Sequence, residues 1–284
     1  MSPAPPRHAD PSGPASADPI AGRSPWPPVR HRARVLSNRR VAEATWWLEL
    51  ESPEIAAASR PGQFVMIGYG VDNLAPPLLP RPFSVGWRSD DGRVGLLVRT
   101  FGSGTRRMSG LEAGDETLLL GPLGRPFRLE EDRPIQCVAG GVGLAPFLFL
   151  AGEARARGRE VRLLYGERTG ARVFDLDLVR RLTGGPAEVW TEDGSAGRKG
   201  LVLDGIDLTE DPLLLGCGPG AMLRALADLA ARRGASLQVS VEEHMGCGVG
   251  TCQGCVVPRA GGGWAKACVE GPVFDAGALD WGVP

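Results

Sequence analysis

Three cysteines near the C-terminus, Cys247, Cys252 and Cys255, follow one another as C-x4-C-x2-C, and Cys268 follows after twelve intervening residues. Four thiolates at that spacing hold the two irons of a plant-type 2Fe-2S cluster. Gly246, Gly248, Gly250 and Gly254 are threaded through the same run. Without side chains the backbone can wrap tightly and aim N–H groups at sulfur, which stabilises an added electron. Structural zinc and disulfides use the same residue type. Zinc sites more often carry two short-spaced pairs, however, and only Cys252 and Cys255 form a C-x-x-C here. Disulfides suit secreted chains, and no secretory signal is expected from this N-terminus.

A second kind of chemistry is written in glycine. Gly140, Gly141 and Gly143 lie in the run Cys137-Val-Ala-Gly-Gly-Val-Gly-Leu-Ala-Pro146, at the junction of an expected strand and helix. Such a loop lets backbone approach a pyrophosphate, whose charge the helix N-terminus receives, and Pro146 fits the first helical turn because its missing donor is not needed there. The pattern is G-x-G-x-x-P, not the dinucleotide fingerprint with a third glycine, and Glu167 does not end the next strand cleanly, so NAD and NADP both stay open. A second turn, Gly216-Cys217-Gly218-Pro219-Gly220, again joins a strand to a helix. Two such turns can flank one dinucleotide and bring Cys217 near a nicotinamide; the plainer reading of Cys217 is a small buried apolar residue.

Earlier in the chain, Arg81-Pro82-Phe83-Ser84 is expected to close a strand after a Pro-rich turn. A guanidinium fork can grip a flavin phosphate while the hydroxyl and backbone hold the ribityl chain. Leu97-Val98-Arg99 then leads into Gly102-Ser103-Gly104-Thr105, a backbone-plus-hydroxyl site suited to phosphate.

These groups need elements to hold them. Residues 1–30 contain nine of the 25 prolines and only Ile20, Trp26 and Val29 as bulky apolar side chains, so a disordered leader is expected there. Over 31–130, short apolar runs such as Thr45 to Leu50, Gln63 to Gly68, Val94 to Val98 and Glu116 to Leu120 alternate with Gly/Pro turns, which predicts an antiparallel barrel. Over 131–238, strands (135–139, 161–165, 187–190, 213–215, 237–241) alternate with helices (146–156, 173–182, 221–232), which predicts an α/β unit with a parallel sheet. Residues 239–284 form a third, Gly- and Cys-rich unit too small to hold its shape without a staple. The expected fold class is therefore a β barrel plus an α/β domain with a small cluster domain.

Composition removes other functions. A formal net charge of -1 gives no long-range field for nucleic acid, and no apolar stretch is long enough to span a membrane. With only His8, His31 and His244, a Ser/His/Asp triad or a His-rich metal site can barely be assembled. A cytoplasmic redox protein fits what is left.

The segments RPFS, VRTFGSGT, GPLG, AGGVGLAPF, YGERT, GCGPGAM, VEEHMGCGVGTCQGCVV and CVEGPVFDA occur in this order. Over roughly residues 33–280 the chain thereby resembles the electron-transfer subunits of class 1B dihydroorotate dehydrogenase, within the ferredoxin-NADP reductase superfamily. The resemblance implies that Arg81, Pro82, Phe83, Ser84, Leu97, Val98, Arg99, Gly104 and Thr105 contact FAD. It also implies that Cys247, Cys252, Cys255 and Cys268 ligate a 2Fe-2S cluster. The two glycine turns, read on their own chemistry, would bind NAD at Gly140, Gly141, Gly143, Pro146, Gly216, Gly218 and Pro219. Related reductases of aromatic-ring dioxygenases have a much wider gap before the fourth cysteine, so the short gap here is similar to the dihydroorotate type. Pro80 departs from the family pattern, in which a second Arg often precedes the RP pair. The implied activity is a relay from the FMN-containing catalytic subunit of dihydroorotate dehydrogenase, in a two-plus-two heterotetramer, through cluster and FAD to NAD+ in pyrimidine biosynthesis. Rival expectations are a reductase subunit of a sulfide dehydrogenase, ferredoxin-NADP reductase or hydrogenase complex, and a non-catalytic redox sensor.

Overall fold

The computed structural model describes residues 28–68, 79–129 and 132–282. The expected leader lies outside the described residues as far as residue 27, and Val29 and Arg30 already belong to the first strand.

Six strands, β1 (Val29–Ala42), β2 (Thr45–Glu51), β3 (Phe64–Gly68), β4 (Arg81–Arg88), β5 (Arg93–Arg99) and β6 (Glu116–Leu123), close into a barrel in the order β1-β2-β5-β4-β3-β6. Two short helices, α1 (Pro53–Ala58) and α2 (Ser103–Ser109), interrupt it. Arg81-Pro82-Phe83-Ser84 opens β4 instead of closing a strand. Strand β5 is almost wholly buried because both its faces are covered. Val94, Leu96 and Val98 point into the barrel core, whereas Leu97 joins its cross-strand partner Trp47 on the outside. The indole of Trp47 fits there only because position 95 is glycine: a Cβ on Gly95 would stand 2.2 Å from the ring.

The second sheet runs through β7 (Ile135–Gly140), α3 (Ala145–Ala156), β8 (Val161–Glu167), α4 (Leu176–Thr183), β9 (Ala187–Thr191), β10 (Arg198–Lys199), β11 (Leu213–Cys217), α5 (Gly220–Arg233) and β12 (Leu237–Ser240). Its strand order is β10-β9-β8-β7-β11-β12, all parallel. Side chains alternate between two cores: Cys137, Leu163 and Leu215 face α3 and α4, while Val138, Leu164 and Leu214 face α5. The first core continues into the barrel through Trp47 and Leu97, and Trp47 meets Phe174 edge-on at 6.0 Å between ring centroids. Helix α4 begins three residues later than the apolar pattern suggests, because Asp175 caps it, accepting from the Leu178 N–H at 3.0 Å.

The Gly- and Cys-rich segment holds a small hairpin, β13 (Val256–Pro258) with β14 (Trp264–Lys266). The chain then returns as β15 (Val273–Asp275), which pairs antiparallel with β12 and extends the large sheet. The cluster segment is thus tied at both ends to the α/β sheet.

Candidate functional site

In this sheet the chain proceeds outward from β7 to β8 and β9, then crosses back to β11 and β12 on the other side. The strand order therefore reverses between β7 and β11, and a crevice opens at their carboxyl ends, where ligands bind in such sheets. Both glycine turns sit at that point. They are built to touch each other: a Cβ on Gly143 would lie 2.2 Å from the Cys217 carbonyl oxygen, and one on Gly218 would lie 2.9 Å from the Gly140 backbone. Gly216 lies under Leu223 and Leu226 of α5, and Pro146 is buried in the first turn of α3.

A cavity of about 550 Å³ opens over these turns. Of the residues expected at the dinucleotide, Gly140, Gly141 and Pro219 line it, whereas Gly143, Pro146, Gly216 and Gly218 stand behind them and set how closely the turns approach. The wall also contains Glu167, Arg168, Arg172 and Glu192. Glu167 is 7% exposed and already engaged, since it pairs with Arg99 and accepts from the Tyr165 hydroxyl at 3.1 Å. Glu192 is exposed, at the turn after β9.

A second cavity, of about 410 Å³, lies where barrel, α/β sheet and cluster segment meet. Its barrel wall includes Arg81, Pro82, Phe83, Ser84, Leu97, Arg99 and Thr105, all expected at the flavin. Two of the expected residues are not in the wall: the Val98 side chain is turned into the barrel core at 1% exposure, and Gly104 is buried within α2. The Thr105 hydroxyl accepts from the Phe101 N–H at 2.8 Å, and Arg81 donates to the Leu79 carbonyl at 2.9 Å. Arg99 borders both cavities, its Nε bonded to Thr45 Oγ1 at 3.1 Å.

Sequence reasoning missed the opposite wall, which is Ser240, Val241, Glu242, Glu243, His244 and Met245. No spacing marks this stretch; the parallel pairing of β12 with β11 delivers it to the carboxyl edge. Burial raises the Glu242 carboxyl, against the pull of Arg99. Cys217 is fully buried beside Ser240 and Glu242 and is not itself in the wall. Burial, and then the charge of Glu242, hold its thiol well above the ordinary range. Burial likewise raises Cys137. Both thiols stay protonated near neutral pH, so neither is expected to be alkylated by iodoacetamide in the native protein at pH 8; peptide mapping after labelling checks this.

The four candidate ligand cysteines come together as two pairs. The Cys252 N–H donates to Cys247 Sγ at 3.4 Å, and the Cys268 N–H donates to Cys255 Sγ at 3.4 Å. Burial tends to raise the Cys247 thiol, but N–H groups of Cys252, Val249 and Thr251 outweigh it and lower the thiol to about 6. Burial and the neighbouring Cys255 thiol push Cys268 up to about 12. Among the described residues no three His, Cys, Asp or Glu side chains converge as the shell of a single ion. Two thiol pairs match a two-iron cluster, with two sulfurs for each iron. Gly248, with φ of +74°, carries the loop against the barrel, where a Cβ would stand 2.6 Å from Met66. Phe64, Met66 and Leu123 of the barrel share one core with Met245, Cys255 and Cys268. Phe64 and Met245 in turn line the 410 Å³ cavity, so the cysteines and that cavity are separated by one layer of packed side chains.

Comparison with known proteins agrees with this geometry. Residues 242–280 match the family model described as the iron-sulfur cluster binding domain of dihydroorotate dehydrogenase B. The chain is 36% identical over 249 residues to the dihydroorotate dehydrogenase B (NAD(+)) electron transfer subunit of Caldanaerobacter subterraneus subsp. tengcongensis, covering 86% of this chain and 95% of the relative. It is 39% identical over 258 residues to the same subunit of Geobacillus kaustophilus, covering 88% and 98%. Among solved structures, an NADH-dependent reduced ferredoxin-NADP oxidoreductase, described for flavin-based electron bifurcation, superposes with a TM-score of 0.77 at 28% identity over 88% of this chain and 90% of that one. The ferredoxin reductase of carbazole 1,9a-dioxygenase shares the fold, with a TM-score of 0.63 at 21% identity over 74% of this chain and 68% of that one. On sequence and fold together, the chain belongs to the family of dihydroorotate dehydrogenase B (NAD(+)) electron transfer subunits.

Proposed function

We propose that the chain takes electrons from an FMN-containing catalytic subunit that oxidises dihydroorotate, and delivers them through a 2Fe-2S cluster and FAD to NAD+. The complex is a two-plus-two heterotetramer in the cytoplasm. The observation that carries the reading is the shared core of Phe64, Met66, Leu123, Met245, Cys255 and Cys268, which leaves one layer of packed side chains between the Cys255–Cys268 pair and the flavin cavity. Held by these residues, a cluster would supply one-electron transfer, a flavin would supply conversion between one and two electrons, and a nicotinamide would supply hydride acceptance. The protein's part is to position and tune them. Cys247, Cys252, Cys255 and Cys268 hold the cluster. Arg81, Ser84 and the backbone of α2's first turn hold the flavin, and Phe64 and Leu97 keep water from it. Thr45 and Glu167 orient Arg99 between the two cavities. Glu242, raised by burial, can hold a proton at its carboxyl oxygen beside the flavin. Proton abstraction from dihydroorotate is assigned to the partner subunit.

The visible spectrum of anaerobically purified protein tests the cofactor assignment. Overlapping flavin and iron-sulfur bands, with NADH-to-dye turnover, are expected; a colourless zinc protein without turnover contradicts it.

Nucleotide choice is assigned to Glu192. With Glu167 committed to Arg99 and Tyr165, the exposed carboxylate of Glu192 is left to accept from a ribose 2′-hydroxyl and to repel a 2′-phosphate. Glu192→Ala is expected to raise kcat/KM for NADPH relative to NADH about tenfold, the equivalent of about 1.4 kcal/mol. An unchanged ratio in steady-state assays would place the discrimination elsewhere.

A further inference from the structure

A third cavity, of about 750 Å³, shares no wall residue with the flavin or dinucleotide cavities. Four parts of the chain build it: the end of α1 with its following turn, the end of β4, the linker between barrel and α/β domain, and the last turn of α3. Its wall holds the guanidinium groups of Arg60, Arg88, Arg125, Arg128 and Arg157 against the single carboxylate of Glu153. The chain as a whole carries a formal charge of -1, so this is a local concentration and not a sample of a basic protein.

Part of that charge is already engaged, that of Arg125 included. Glu153 is divided between Arg88 at 2.8 Å and Arg157 at 3.0 Å, and Arg128 pairs with Asp275, which is not in the wall. Arg60 is exposed and has no carboxylate within ion-pair distance among the described residues. Arg88 is fixed in advance, since it donates to the Ala56 carbonyl at 3.2 Å and lies 5.6 Å from the Phe149 ring centroid. Between the guanidiniums the surface is apolar, with Pro61, Pro126 and Leu129. A concave site of this volume is the size of a small-molecule pocket, and several convergent arginines are the donors that match phosphate oxygens.

We propose that this cavity binds a phosphate-bearing anion, a polyphosphate or a nucleotide, at the junction of barrel and α/β domain. Bound there, the anion ties Arg60 and Arg88 of the barrel to Arg157 of α3, whose other end starts at the dinucleotide loop. A small-molecule site fits these walls better than a flat protein-docking face, because the arginines border a hollow of small-molecule size. The proposal does not rest on the redox assignment.

The test titrates inorganic tripolyphosphate, and separately a nucleoside triphosphate, into the FAD- and cluster-loaded protein by calorimetry. Ionic strength is fixed and NAD+ is saturating, so the dinucleotide cavity is filled. Saturable one-site binding is expected, weakened about tenfold or more by the double variant Arg60→Ser/Arg157→Ser, as loss of charge-assisted contacts requires. Both residues are exposed, so the variant should keep its visible spectrum and NADH-to-dye rate. Tighter binding of the nucleotide than of tripolyphosphate assigns the apolar wall to a base; equal binding assigns a bare polyphosphate. No saturable binding by the native protein, or equal affinity in the variant, overturns the proposal. So does indifference to both anions combined with a weakened complex with the catalytic subunit, which would make these arginines a protein-docking surface.

Discussion

Replacing Cys252 by serine is expected to remove the iron-sulfur bands and to cut electron transfer from the catalytic subunit by about 100-fold or more, because even partners outside the ligand shell cost up to that much in such sites. NADH-to-dye turnover through the flavin should stay within about threefold, since no step between nicotinamide and flavin uses that thiolate. The split follows from the layout. Cys252 is exposed at the outer end of the cluster loop, whereas Cys255 and Cys268 are buried in the core shared with Phe64 and Met66. A Cys252 variant therefore removes a proposed ligand with the least effect on packing. Cys255→Ser should give the same split with a larger loss of thermal stability. Equal loss of both activities in Cys252→Ser would mean that the cluster segment holds the flavin cavity together and is not a separable station in the relay.

The second large effect is expected at Gly143. An added methyl would meet the carbonyl oxygen and carbon of Cys217 at 2.2 and 2.4 Å and the Gly218 nitrogen at 2.7 Å. All three are backbone atoms, so no side-chain rotation relieves the contact, and the two glycine turns must move apart. Gly143→Ala should cost about 1–3 kcal/mol of stability, the range for overpacking a tight interior. It should also raise KM for NADH by about tenfold or more, because the turns no longer meet beneath the dinucleotide. Flavin and cluster spectra should be unchanged, since neither cavity wall nor ligand loop contains this residue. Thermal melts and steady-state kinetics on one preparation separate the two effects.

What could be read in the sequence was local. The cysteine spacing, the two glycine turns and the apolar runs of β2, β5, β7, β8 and β11 each carry a signal within a dozen residues, and the structure has strands at all five runs. What depended on distant contacts was not legible. Strand β15 is three residues long, and nothing local says that it returns to β12. The wall formed by Ser240 to Met245 acquires its place only from the pairing of β12 with β11. Glu167 could not be told from an ordinary strand-end carboxylate until Arg99 was seen to occupy it across the domain boundary. The glycines behind the dinucleotide cavity show the same limit. Composition marks them as special, but whether Gly143 touches a ligand or another turn is a tertiary fact.

The central claim is the direction and continuity of the relay, and one measurement addresses it. The cofactor-loaded chain is combined with its FMN-containing catalytic subunit under anaerobic conditions, dihydroorotate and NAD+ are added, and NADH is followed. The account predicts NADH formation that requires both subunits, tracks dihydroorotate consumption one for one as a two-electron transfer must, and disappears with Cys252→Ser. A stable complex that reduces dye with NADH yet forms no NADH from dihydroorotate would contradict it.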